Sequence, residues 1–195
     1  NKIISLSDST INYLIVLLVV ITAIGFIYSI FFSPPDYLQG DSVRIMYVHV
    51  PSSFIALGCF AFIGLFSVCS LIFKIKFMSL MGKSLAPIGF TFAIISIVTG
   101  SLWGKPTWGT WWAWDARLTS MLVLLFFYAG YILIWKLVKS FEKANKIAAL
   151  IGIIGSFNIP IIKYSVDWWS TLHQPSSITL TSAPTIHYSM LIPLI

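Results

Sequence analysis

Eight residues, Trp108 to Asp115, read WGTWWAWD and hold four of the eight tryptophans in this 195-residue chain. An indole ring offers a rigid face of roughly 150–250 Å² and a quadrupole that favours offset stacking on another flat ring. Several of them on one short segment suit a large, flat, apolar ligand. Two imidazoles stand on other segments with related composition: His49 in RIMYVHVP and His173 in WWSTLHQP. Imidazole is the commonest metal ligand, and two of them beside an aromatic platform meet the needs of haem iron, with a nitrogen above and below and apolar contact along the porphyrin. Arg44, Lys105 and Arg117 could then meet the propionates. Guanidinium is suited to that work by its bidentate geometry.

Each of these residues has a plainer reading. A single histidine at a membrane interface is ordinarily a hydrogen-bonded residue snorkelling toward water, and interfacial tryptophans can form an aromatic belt. Asp115 precedes an apolar run and is a favoured N-cap there, where the first helical turn also attracts negative charge. Arg117, two residues on, would not face Asp115 along a helix. His187 falls in an apolar run and is expected to hydrogen-bond a neighbouring helix. Read as a short loop helix from about Pro106 to Asp115, the tryptophan segment would place Trp108, Trp111, Trp112 and Asp115 on one face by three- and four-residue steps. The four tryptophans of that helix would sit on more than one side of it.

The elements that must position these groups are membrane helices. The chain is 58% hydrophobic and 9% charged, against a soluble norm of roughly 45–50% apolar and about 25% charged. A membrane helix needs about 20 mainly apolar residues. Runs of that order predict an all-α, single-domain polytopic protein with six spans at 11–32, 51–73, 85–102, 118–135, 147–162 and 183–195. The tryptophan-rich loop is 103–117. The first run is too long for a signal-peptide core and is expected to be a retained anchor. The chain opens on Asn1 and ends at Ile195 inside an apolar run, so the last span is expected to be incomplete. Cys59 and Cys69 both sit in the second run, with no partners for a zinc site or a disulfide framework.

Charge gives direction. Cytoplasmic loops collect Lys and Arg. With the amino terminus inside, the inner segments carry eight cations and two acids, whereas the outer ones balance at four and four. Seven tryptophans then lie outside and only Trp135 inside. A belt would occupy both interfaces, so this one-sidedness favours a binding surface. The net charge of +6 resides between apolar runs and forms no aromatic-interleaved nucleic-acid pattern.

The run WGKPTWGTWWAWDARLTS, Trp103 to Ser120, resembles the tryptophan-rich "WWD" signature of haem-handling membrane proteins. Together with RIMYVHVP and WWSTLHQP, it is similar to the cytochrome c maturation protein C (haem exporter protein C) family over essentially the whole chain. That resemblance implies a multi-pass protein of the bacterial inner membrane that holds haem b at the periplasmic face and presents it to the haem chaperone CcmE. It implies His49 and His173 as axial ligands. It also implies haem contact by the segment of Trp103, Trp108, Trp111, Trp112, Trp114, Asp115 and Arg117, with Arg44 and Arg117 near the propionates. Implied partners are CcmE, the small membrane protein CcmD, the ATP-binding cassette pair CcmA and CcmB, and membrane lipid. Pro175 and Ser176 replace the glycine expected after the HisGln pair, and His187 matches no motif of the family. The chain has neither a GxxxxGK phosphate loop nor a CxxCH attachment site, so ATP hydrolysis and covalent haem carriage through cysteines are not expected of it. A haem lyase acting directly on apocytochrome thiols is the alternative; such relatives are larger.

Overall fold

The computed structural model describes residues 2–174, 177 and 183–194, with side chains from residue 9 onward. Its elements are α1 (Lys2–Phe31), α2 (Met46–Phe73), α3 (Lys76–Trp108), α4 (Ala116–Leu137), α5 (Phe141–Ser156), α6 (Asn158–Trp168) and α7 (Tyr188–Leu191), with 3-10 turns at Asp41–Ile45 and Ile192–Leu194. Five segments among the described residues are long and apolar enough to cross a membrane: Ser9–Phe31, Asp41–Phe73, Lys76–Trp108, Ala116–Leu137 and Phe141–Trp168. The protein is therefore an all-α, multi-pass membrane protein. In the region predicted as a sixth span, the described residues form only α7 and the 3-10 turn that follows it. Ile195 lies outside the described residues.

The chain divides into two compact units, Asn1–Tyr47 with Ser177–Ile195, and Val48–Ser176. In the first, α1 packs against the 3-10 turn at Ile192–Leu194. Its carboxyl end is closed by Arg44, whose Nη1 donates to the Ile30 carbonyl at 2.6 Å. Nη2 reaches the Ser33 carbonyl at 3.4 Å and the Asp41 carboxylate at 3.1 Å. Carbonyls at a helix carboxyl terminus lack intrahelical donors and carry partial negative charge, so a guanidinium satisfies both needs.

The second unit is a helical bundle in which α4 packs on α3, α5 and α6. Phe60, Ile63, Leu124 and Tyr128 are fully buried at its centre. The Tyr128 hydroxyl donates to the Ala56 carbonyl at 2.6 Å and its ring meets Phe60 edge-on at 4.7 Å. Lipid tails are as apolar as leucine, so close packing rather than the hydrophobic effect holds such helices together. The stripe Ala144, Ala148, Gly152 and Gly155 along α5 is a surface of that kind. All four are buried, and Gly155 lies against Phe60 and Phe127.

Phe60→Ala would open a cavity here. In water such a change costs about 3–5 kcal/mol; without the water-transfer contribution, the loss is expected at the low end of that range. Reversible unfolding in mixed micelles measures it.

Several span boundaries differ from those read in the sequence, and two of the differences fall at prolines. A proline removes a donor and crowds the carbonyl four residues before it. Pro160 does this to Ser156, and the fifth span breaks there into α5 and α6. The second span begins earlier than expected, at Met46, so Pro51 lies inside α2 and His49 is a helical residue. Buried Asn158, just after the break, donates its amide to the Ser120 carbonyl at 2.7 Å, which satisfies a polar group at membrane depth.

One end of this unit is lysine-rich. Lys76 lies over the Phe141 ring at 4.7 Å and Lys83 over Trp135 at 5.1 Å, which ties α3 to the α4–α5 turn. The other end carries the tryptophans and both histidines predicted to bind metal.

Candidate functional site

The site is built on α3. Its 33 residues extend to about 50 Å at 1.5 Å per residue, beyond a hydrocarbon layer of about 30 Å. The helix therefore emerges from the apolar zone carrying Trp103 and Trp108. It ends where Gly109 takes a left-handed φ of 77° and its N–H reaches the Lys105 carbonyl at 3.1 Å. Left-handed backbone at a helix C-cap is glycine's usual work.

Residues 109–115 are not helical, which corrects the expected loop helix. Trp108, Trp111, Trp112 and Asp115 do not share a helical face. Instead the chain folds back along α3. Ser101 donates its hydroxyl to the Trp111 carbonyl at 2.6 Å, and Thr110 donates to the Trp112 carbonyl at 2.9 Å. Trp111 and Trp114 are largely exposed. Trp112 meets Trp114 edge-on at 5.5 Å, with its indole N–H buried and unpartnered among the described residues.

His49, in the first turn of α2, turns its ring against the carboxyl-terminal half of α3. Nδ1 lies 2.9 Å from the Ser96 carbonyl and 3.2 Å from the Thr99 hydroxyl. A carbonyl only accepts, and the Thr99 hydrogen is directed to the Ile95 carbonyl at 2.7 Å. Nδ1 therefore carries the hydrogen, and Nε2 presents a lone pair. The Trp103 ring stands edge-on to this imidazole at 5.8 Å. Ser96, Thr99, Gly100 and Trp103 fall at steps of three and four, one face of α3.

Gly100 is required by closeness. A Cβ there would lie 2.9 Å from His49 Cε1 and 3.3 Å from Nδ1. Gly100→Ala is expected to displace the ring and break its bond to Ser96. By contrast, the substitution favours the helix itself by roughly 1 kcal/mol. The pair of measurements that checks this is ligand affinity, which should fall, and thermal stability, which should not.

His173 belongs to the irregular segment after α6. Its Nδ1 lies 3.2 Å from Asp115 Oδ2, with side-chain exposures of only 18% and 8%, so the pair is screened little by water. Oδ2 also accepts the Leu172 N–H at 3.3 Å, while Oδ1 accepts the Leu118 N–H at 2.8 Å and caps α4. Asp115 is thus a cap, as its position in the sequence suggests, and also an anchor for a histidine 58 residues away. Burial pushes His173 below the ordinary value of 6.5, against the opposing pull of Asp115. The imidazole is neutral at neutral pH, with its hydrogen on the nitrogen that faces the carboxylate. Trp108 lies edge-on to it at 4.8 Å. An open cavity of about 520 Å³ borders His173, lined also by Asp167, Trp168, Trp169, Ser170 and Thr171.

Both histidines therefore lie at the tryptophan-bearing end of the second unit, each beside its own indole. Each has Nδ1 occupied, one by a carbonyl and one by a carboxylate. This is the outer-shell arrangement that orients metal-bound imidazoles.

The two arginines also serve the scaffold. Arg117 Nε lies 3.3 Å from the Ile162 carbonyl and from Ser165 Oγ, and Nη2 reaches the Lys163 carbonyl at 3.1 Å, so this guanidinium binds α4 to α6. Arg44 belongs to the first unit and closes α1. Lys105 is exposed, with Nζ 3.1 Å from the Gly109 carbonyl and 5.9 Å from the Trp111 ring centre. Among the described residues, His187 makes no hydrogen bond to a neighbouring helix. It sits just before α7 and accepts the Ser189 N–H at 3.3 Å as an N-cap. Pro175 and Ser176 lie outside the described residues.

Sequence reading missed Ser96, Thr99 and Gly100, although their spacing with Trp103 was a usable signal. It offered no signal for the contact between Asp115 and His173.

The family described as "Heme exporter protein C" (CcmC) matches residues 1–195. A heme exporter protein C of Escherichia coli strain K12 is 46% identical over 167 residues, 86% of this chain and 68% of that protein. One from Bradyrhizobium diazoefficiens is 39% identical over 194 residues, 100% of this chain and 73% of its own length. A "Putative cytochrome c biosynthesis ccmC-like mitochondrial protein" of Marchantia polymorpha is 45% identical over 174 residues, 89% of this chain and 73% of that protein. On the strength of its full-length match and these relatives, the chain belongs to the haem exporter protein C family.

Proposed function

We propose that this chain takes part in haem export for c-type cytochrome biogenesis, holding haem b at the periplasmic face of the bacterial inner membrane and handing it to the chaperone CcmE. The amino terminus is cytoplasmic in this reading, which rests on the excess of lysine in the alternate loops. The observation that carries the proposal is the pair of neutral imidazoles, His49 and His173, at one end of the bundle with Nδ1 occupied and Nε2 left for a metal. The donor set fits haem: two nitrogen ligands, with Trp103, Trp108, Trp111, Trp112 and Trp114 supplying ring surface around them.

The chain's own work is to bind and orient. Asp115 and the Ser96 carbonyl hold the two rings in the tautomer that can ligate iron. Arg44, Lys105 and Arg117 are the cations for the propionates, and Arg44 and Arg117 also fix helices. Trp111 and Trp114 are exposed and would offer indole surface to a docking chaperone. The cassette subunits CcmA and CcmB would supply any ATP-driven step, with CcmD as a further membrane partner.

Purification from haem-replete cells tests the proposal. A six-coordinate b-type spectrum, and loss of that haem to purified CcmE on mixing, are expected. A colourless protein would overturn haem binding. Transfer of haem to apocytochrome thiols without the chaperone would instead favour a lyase.

A further inference from the structure

The two imidazoles are held by chemically different partners. His173 Nδ1 faces a buried carboxylate, Asp115 Oδ2, at 3.2 Å. His49 Nδ1 faces a neutral carbonyl, Ser96 O, at 2.9 Å, and a neutral hydroxyl, Thr99 Oγ1, at 3.2 Å. A carboxylate accepting the Nδ1 hydrogen draws it away from the ring, enriches the electron density on Nε2 and makes the imidazole a stronger ligand. A carbonyl does the same far more weakly, because charge-assisted hydrogen bonds are roughly twice as strong as neutral ones. The shielding of the His173–Asp115 pair from water preserves this difference.

The scaffolds differ in the same sense. His49 is fixed on α2, with its ring pressed against Gly100 and Trp103 of α3, so it cannot follow a departing ligand. His173 lies on the non-helical segment after α6, which has no regular helix hydrogen bonds to hold it in place.

We propose that the two ligands are unequal: His173, tethered to Asp115, is the retaining ligand, and His49 is the one that lets go of iron first and opens a coordination position for the acceptor. This inference rests on the haem-binding reading above. Its content is the order in which this chain's own residues release the iron.

Carbon monoxide, which binds reduced haem by replacing the more weakly held axial ligand, reads out that order. The haem-loaded full chain is reduced, exposed to carbon monoxide and examined by resonance Raman spectroscopy. The ligand opposite carbon monoxide sets the iron–carbon and carbon–oxygen stretching frequencies. If His173 is retained, the adduct of His49→Ala matches that of the unaltered protein, whereas the adduct of His173→Ala, saturated with haem, does not. Asp115→Asn keeps both histidines and provides a second reading if His173→Ala binds too little haem: its adduct frequencies should shift, whereas those of Thr99→Val should not. An adduct matched by His173→Ala, or shifted by Thr99→Val and indifferent to Asp115→Asn, would overturn the assignment and make His49 the retaining ligand. A colourless preparation would instead overturn the haem-binding reading on which it depends.

Discussion

Alanine at His49 or at His173 is expected to abolish the six-coordinate haem spectrum, and each substitution should do so alone. Losing an outer-shell partner of a metal ligand typically costs about 10–100-fold in affinity, and losing the ligand itself should exceed that. Two neutral imidazoles at one end of a bundle are not in themselves evidence of a shared iron, so the informative result is the pairing of effects. If His49 were only a packing residue tied to Ser96 and Thr99, its loss would lower thermal stability and leave the spectrum of bound haem unchanged. If both positions act on one iron, either variant gives a five-coordinate spectrum, and added imidazole restores six-coordination. Visible and electron paramagnetic resonance spectra of the purified variants, recorded beside their melting curves, separate the two outcomes.

Asp115 should show the next largest effect, because its two oxygens have separate tasks. Oδ1 caps α4 through the Leu118 N–H, and Oδ2 holds His173. Alanine removes both. The lost cap costs about 0.5–2 kcal/mol of stability, and the lost tether about 10–100-fold in haem affinity. Asparagine divides the two effects. It caps a helix about as well as aspartate, but it is neutral and offers His173 only an amide oxygen. Asp115→Asn is therefore expected to melt close to the unaltered protein while binding haem more weakly. A variant that melted normally and bound haem normally would show that the carboxylate matters only as a cap.

The helices were legible because a span needs a long apolar run, and the runs ending at Phe73 and beginning near Leu118 are bounded by charge or a capping residue. Their ends were less so. Around Trp103 and Trp108 the chain stays helical after the apolar pattern has ended, since α3 continues out of the hydrocarbon layer until Gly109 stops it. The tryptophan segment was then misread as a helix because its three- and four-residue spacing is compatible with one. The glycine and the serine and threonine hydroxyls at 101 and 110, which fold it back, have no periodic signature. His49 and His173 stood out as residue types beside aromatic clusters, yet nothing local joins residue 173 to residue 115. The arginines have a second task that the sequence does not display. Guanidinium chemistry suits a carboxylate group of a ligand, and nothing local in the sequence showed that the carbonyls at Ile30, Ser33, Ile162 and Lys163 also take donors from these side chains. The end of α1, which takes the donors of Arg44, cannot be seen until that helix end itself is located.

One helix serves both histidines. The flank of α3 holds the ring of His49 through Ser96, Thr99 and Trp103, and its final residue, Trp108, meets His173. The far end of the same helix is gripped by lysine–aromatic contacts on the opposite side of the bundle. A rod so connected is a common mount: two imidazoles from segments far apart in the chain take their positions from one continuous helix, so their spacing is set by its rigidity and not by the loops that carry them.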